Sequence, residues 1–200
     1  MALDAARERA MQETRTRILD VARDLLGQHP NSGMGEIARA AGVVRRTVYG
    51  YFPARGDLVR ALATQAAGEI SAVLTDVDRP GLSADEAWAR FVRELWPLAH
   101  RYRVLLALRR GDHGDEIHAV LRSVDAKLAT LIQRGQNDGV IGTHLPPDVL
   151  ARLSYATVFA IADDRRGDPT LDARAATITS LLMLGVTAER AHEILRRASL

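Results

Sequence analysis

Apolar residues recur along this chain with helical spacing almost from one end to the other. Ile18, Val21, Ala22 and Leu25 follow the i, i+3, i+4, i+7 rule, which predicts a first helix over about 12–28 with that face inward. His29-Pro30-Asn31-Ser32-Gly33 ends it. A short second helix, 35–41, points Ile37 and Ala38 inward and stops at Gly42, where the chain turns through a left-handed conformation. A third follows at once over 44–51, and Pro53 breaks it. A long fourth helix is expected over 55–76, with Asp57 at the positive end of its dipole.

Beyond Arg79-Pro80-Gly81-Leu82-Ser83 the same period returns. Ser83 and Glu86 have the spacing of a capping box. Trp88, Phe91, Val92, Leu95, Trp96 and Ala99 form the stripe of a fifth helix that Pro97 should bend. Further helices are expected over 101–110, 115–137, 147–164, 171–185 and 188–197, with Gly139, Gly142 and Pro146-Pro147 in one of the intervening loops. The fold class is therefore all-α.

Composition narrows the chemistry. With 47% hydrophobic residues a sizeable core is available, and the prevalence of Ala, Leu, Arg and Glu reinforces the helical reading. There is no cysteine, which excludes disulfides, thiolate catalysis and Cys-based zinc sites. The N-terminal residues carry acids and lack an apolar core, and no apolar run approaches the roughly 20 residues of a membrane helix, so a cytoplasmic protein is expected. Residues 1–60 hold ten Arg against seven acids, an excess of three, whereas the rest of the chain has a net charge of −1.

That basic excess coincides with the most distinctive stretch. Of the two Trp, four Tyr and three Phe in the chain, Tyr49, Tyr51 and Phe52 lie together on the third helix, directly behind Arg45 and Arg46. A short helix presented after a tight turn fits the major groove of double-stranded DNA. Arginines at its N-terminal end reach base edges, and nearby hydroxyls meet phosphate oxygens. Arg45 and Arg46 are candidate base readers; Thr47, Tyr49 and Tyr51 are candidate phosphate contacts, and Arg55 adds charge at the start of the fourth helix. Val43, Val48 and Phe52 should pack the core beneath them.

Over residues 12–62 the chain resembles the TetR (tetracycline-repressor) family of bacterial transcription regulators. The resemblance rests on Ile18-Leu19 and Ala22, Ile37-Ala38, Ala41-Gly42-Val43, Thr47-Val48-Tyr49, Tyr51-Phe52, Arg55 and Asp57-Leu58. It implies an N-terminal helix-turn-helix domain over 1–62, with the motif at about 33–52, and a ligand-binding and dimerisation domain over 63–200. It assigns phosphate contacts to Thr47, Tyr49, Tyr51 and Arg55. Three departures stand out: Val44 replaces the usual serine cap, Gly33-Met34 replaces a threonine, and Arg46 sits where a small residue is preferred.

The implied function is a homodimeric repressor released from a palindromic operator by a small-molecule effector, with no cofactor, no metal and no catalytic residues. Leu150, Leu153, Thr157, Val158 and Ile161 on one late helix, and Leu171, Ala175, Ile178 and Leu182 on the next, are stripes suited to a four-helix interface between two subunits. Trp88, Phe91, Trp96, His100, Tyr102, Tyr155 and Phe159 are candidate ligand contacts and imply an apolar or aromatic effector. The segment 112–118 contains His113 and His118, but five helical residues separate their directions by about 140°. A helical small-molecule-binding protein or enzyme using those histidines is the alternative, as is a DNA binder without effector.

Overall fold

The computed structural model describes residues 2–79, 81–109, 113–164, 168 and 170–197, with backbone alone at 2, 3, 106, 107 and 109. Asp112 and Pro80 lie outside them. Among the described residues there are ten helices and no strand. They are α1 (Ala2–Gln28), α2 (Met34–Ala40), α3 (Arg45–Tyr51), α4 (Arg55–Val77), α5 (Ala84–Arg101), α6 (Val104–Arg109), α7 (Gly114–Asn137), α8 (Pro147–Ala162), α9 (Ala173–Met183) and α10 (Ala188–Arg197). The all-α expectation is met. The helices fall into two compact units, one of residues 1–65 and 104–120, the other of residues 66–103 and 121–200. Two helices, α4 and α7, contribute residues to both.

In the first unit α2 packs on α1 and α3, and α6 packs on α1. The buried side chains of α1 are Ile18, Leu19, Ala22 and Leu26, joined by Ile37, Ala38, Val48, Phe52, Leu58 and Val59. The inward face of α1 is thus rotated from the expected one: Val21 and Leu25 lie half-buried at its edge. The helix also starts about ten residues earlier than periodicity indicates. Residues 4–13 are exposed all round, so they carry no apolar stripe, but Ala, Arg, Glu, Gln and Met there are strong helix formers.

The turns of this unit are local chemistry. Gly42 has φ of +67°, where a Cβ would be strained, and its N–H and that of Val43 donate to the Arg39 and Ala38 carbonyls at the end of α2. Gly33 caps α2 without a side chain, but the Glu36 carboxylate reaches back to accept the Gly33 N–H at 2.8 Å. Asp57 does the same at the head of α4, accepting the Ala54 N–H at 3.0 Å. Each contact satisfies one of the donors that a helix start leaves open.

In the second unit α5, α8 and α9 pack against one another, with α10 on α5 and α9. Trp88, Phe91, Val92, Leu95, Tyr155, Val158 and Leu181 are buried at its centre. The Trp88 indole N–H donates to Ser180 Oγ at 3.0 Å, and that hydroxyl donates to the Thr177 carbonyl, so a fully buried polar chain is satisfied. Helix α5 is unbroken through Pro97. It ends at Arg101, with Tyr102 as its C-cap, so α6 begins three residues later than periodicity indicates. Helix α9 likewise begins at Ala173 rather than 171, because the Asp172 carboxylate caps it by accepting the Ala175 N–H.

The expected capping box at Ser83 and Glu86 is absent. Ser83 Oγ donates to Asp85 instead, and Glu86 Oε1 accepts from Arg190 at 3.2 Å. Arg190, on α10, also donates to Asp85 Oδ2 at 2.9 Å. Asp85 is 1% exposed, and its buried carboxylate is compensated by this charge-assisted hydrogen bond, while Glu86 and Glu193 share the same guanidinium.

Candidate nucleic-acid interface

Helix α3 presents one polar and one apolar side. Val48 and Phe52 are buried at 0% and 2% exposure, whereas Arg45 and Arg46 are exposed and Tyr49 is 39% exposed. Thr47 and Tyr51 are half-buried, at the border between the two sides. Val43, expected in the core, is only half-buried. The Arg45 guanidinium lies 5.5 Å from the Tyr49 ring centroid and donates to its hydroxyl at 3.3 Å, an i, i+4 pair along the exposed side. Arg15 on α1 covers the Phe52 ring at 5.3 Å.

Val44 caps α3 in extended conformation with no side-chain hydrogen bond, and it is 64% exposed. Sequence reasoning registered only the lost serine cap. The exposed apolar group beside Arg45 and Arg46 is equally a surface feature, and apolar contact with a thymine methyl is the chemistry such a group offers in a major groove.

Arg55 is placed differently from the other five candidates. Its guanidinium turns back onto the loop between α1 and α2 and donates through Nη1 to the Ser32 carbonyl and through Nη2 to the Pro30 carbonyl. One residue on, Gly56 faces Glu116 of α7: a Cβ there would come within 3.1 Å of Glu116 Oε1. The same carboxylate lies 3.7 Å from the Arg60 guanidinium and 3.5 Å from His113 Nδ1. His118, by contrast, pairs its Nδ1 with the Gly114 carbonyl at 2.7 Å within its own helix. No group of three potential metal ligands occurs among the described residues.

The candidate ligand contacts lie in the second unit. Trp88, Phe91, Tyr102, Tyr155 and Phe159 are buried, Trp96 is half-buried and His100 is exposed. Phe91 stacks on Tyr155 with 18° between planes, Tyr155 meets Phe159 at 4.8 Å, and Trp88 meets Phe91 at 5.7 Å. Trp96 and His100 form a separate edge-to-face pair at 4.7 Å. Tyr102 is apart from both, its hydroxyl donating to Glu69 Oε1 at 2.6 Å. Sequence reasoning passed over Ser154, which directly precedes Tyr155 on α8, is fully buried and has no hydrogen-bond partner for its hydroxyl.

A short helix with arginines outward and Val48 and Phe52 inward, packed on a second helix across a glycine turn, defines a helix-turn-helix protein. The profile of bacterial regulatory proteins of the tetR family matches residues 18–62. The crystal structure of the TetR-like transcriptional regulator LfrR from Mycobacterium smegmatis, in complex with proflavine, matches with a TM-score of 0.67 at 30% identity, over 86% of this chain and 96% of that one. The chain belongs to the TetR family of bacterial regulatory proteins.

Two curated relatives match shorter stretches of the chain. The HTH-type transcriptional repressor LfrR of Mycolicibacterium smegmatis is 42% identical over 83 residues, which are 42% of this chain and 44% of the repressor. The HTH-type transcriptional regulator AcrR of Shigella flexneri is 49% identical over 49 residues, 24% of this chain and 23% of AcrR. The chain thus spans less than half the length of the curated relatives it matches.

Proposed function

We propose that the protein is a cytoplasmic, homodimeric transcriptional repressor that binds a palindromic DNA operator and is released by a small-molecule effector, acting as a regulator rather than an enzyme. The observation that carries this reading is the division of α3 and its C-cap between a buried side, Val48 and the capping Phe52, and an exposed side bearing Arg45, Arg46 and Tyr49. Arg45 and Arg46 read base edges; Thr47, Tyr49 and Tyr51 contact phosphates and set the register. The DNA-binding function belongs to residues 1–62, and ligand binding and dimerisation to residues 63–200. No described helix is long and apolar enough to cross a membrane.

Dimerisation is supported by an apolar face left open on α8 and α9. Leu153 and Leu182 are 43% and 46% exposed, and Ile161, Ala175 and Ile178 are half-buried. The Phe91, Tyr155 and Phe159 cluster favours an aromatic or apolar effector, and its LfrR relative has been solved with proflavine. Release requires the effector to bind the DNA-free state more tightly than the DNA-bound one. Helix α4 has residues in both units, so displacement of its second half acts on a helix whose first turn carries Arg55 and Asp57.

The test is selection of duplexes from random-sequence DNA by the intact chain, followed by titration of a selected duplex against salt. A recovered palindromic site whose log affinity falls linearly with log salt is the expected result. Failure to enrich any sequence, or a flat salt response, would reject the DNA-binding reading.

A further inference from the structure

Arg55 stands in the stretch that resembles a phosphate contact, yet its guanidinium is occupied elsewhere. Both terminal nitrogens donate to carbonyls of one loop, Nη1 to Ser32 and Nη2 to Pro30, while the side chain is half-buried. Ser32 is 7% exposed, and the next residue, Gly33, is the N-cap of α2. The loop is otherwise held by the His29 N–H on the Leu25 carbonyl, the Ser32 N–H on the His29 carbonyl and the Glu36 carboxylate on the Gly33 N–H. All three act within the α1–α2 segment itself. Arg55 ties this loop to the head of α4, 23 and 25 residues further along the chain.

We infer that Arg55 is a positioning residue: it sets the entry of α2, and through the packing of α2 on α3 the pose of the recognition helix, and it does not neutralise a phosphate. Two acceptors, one for each terminal nitrogen, suit the guanidinium fork, whose fixed pair of donors a single ammonium does not reproduce. The role asked of Arg55 thus depends on where its donors are held and not on positive charge alone. The inference rests on the DNA-binding reading above, and it predicts something that reading alone does not: lysine cannot replace Arg55.

The experiment compares Arg55→Lys and Arg55→Gln with the unaltered chain. Probes are a duplex selected by the unaltered chain and a random-sequence duplex of equal length, titrated over a range of salt well below each protein's melting temperature. Both variants are expected to bind the selected duplex about tenfold more weakly, as befits loss of charge-assisted hydrogen bonds, with a smaller loss on random DNA and an unchanged salt slope. A phosphate contact gives another pattern. Lysine then binds like arginine, glutamine loses equally on both duplexes, and the slope falls by about 0.9 per subunit. That pattern, or wild-type binding by both variants, overturns the inference.

Amide hydrogen exchange in the free protein provides an independent arm. In Arg55→Lys the amides of Gly33 to Ile37 are expected to exchange about tenfold faster, with those of α8 unchanged. Unchanged exchange at α2 overturns the inference even if no DNA is bound. Failure of the unaltered chain to select any duplex would instead reject the DNA-binding reading and leave this arm to decide.

Discussion

At the scale of single residues, the proposed recognition chemistry rests on Arg45 and Arg46, both exposed on α3. Arg45 rests on Tyr49 in the free protein, a contact worth only a fraction of a kcal/mol at an exposed site, so little holds it back from a guanine edge. Substituting either arginine with alanine should cost about 1–3 kcal/mol on a selected duplex and broaden the recovered sequence at the matching base pair, measured by repeat selection. Equal losses on selected and random DNA would contradict base reading. The exposed placement of these two residues was legible in the sequence because their identity, order and spacing are all local to one helix. The direction taken by Arg55 was not legible, since it depends on carbonyls more than twenty residues away.

At the scale of elements, the N-terminus of α5 is tied to α10 by Arg190. Burial by itself pushes the Asp85 carboxyl up, but hydrogen bonds from Arg190 and Ser83, the charge of Arg190 and the Glu86 N–H together hold it below the usual carboxylate value. A carboxyl lowered on folding contributes stability that is present above its unfolded pKa and lost as pH falls through the folded one. Asp85→Asn should therefore lower stability by about 1–3 kcal/mol at neutral pH, toward the range for hydrogen bonds to charged groups, because Arg190 remains 30% exposed. Its melting temperature should converge with that of the unaltered chain below about pH 4. A constant gap from neutral to acid pH would show that the charge of Asp85 is immaterial. Periodicity located both helices here, but it favoured a local capping box over a partner 105 residues away.

At the scale of the whole molecule, the proposed function requires two copies of α3 to engage one DNA site. The exposed leucines of α8 and α9 are the place to test this, because neither supports the core of its own unit. Leu153→Glu combined with Leu182→Glu should leave the helical content intact and shift the protein to a monomer in sedimentation. Affinity for a palindromic site should fall about a hundredfold or more, since the second half-site no longer binds intramolecularly. A variant that remains dimeric would move the interface elsewhere.

The sequence by itself determined the all-helical class, the α2–Gly42–α3 turn and the residues of the recognition helix. Each follows from hydrogen bonds and side-chain periods that close within a few residues. Only the tertiary structure decided which face of α1 is buried, with Leu19 and Leu26 taking the places periodicity assigned to Val21 and Leu25. It also decided that Arg55 holds a loop and that Glu86 answers Arg190 rather than Ser83. Those outcomes turn on competition between distant partners for burial and for hydrogen-bonding groups, and no spacing along the chain records which partner wins.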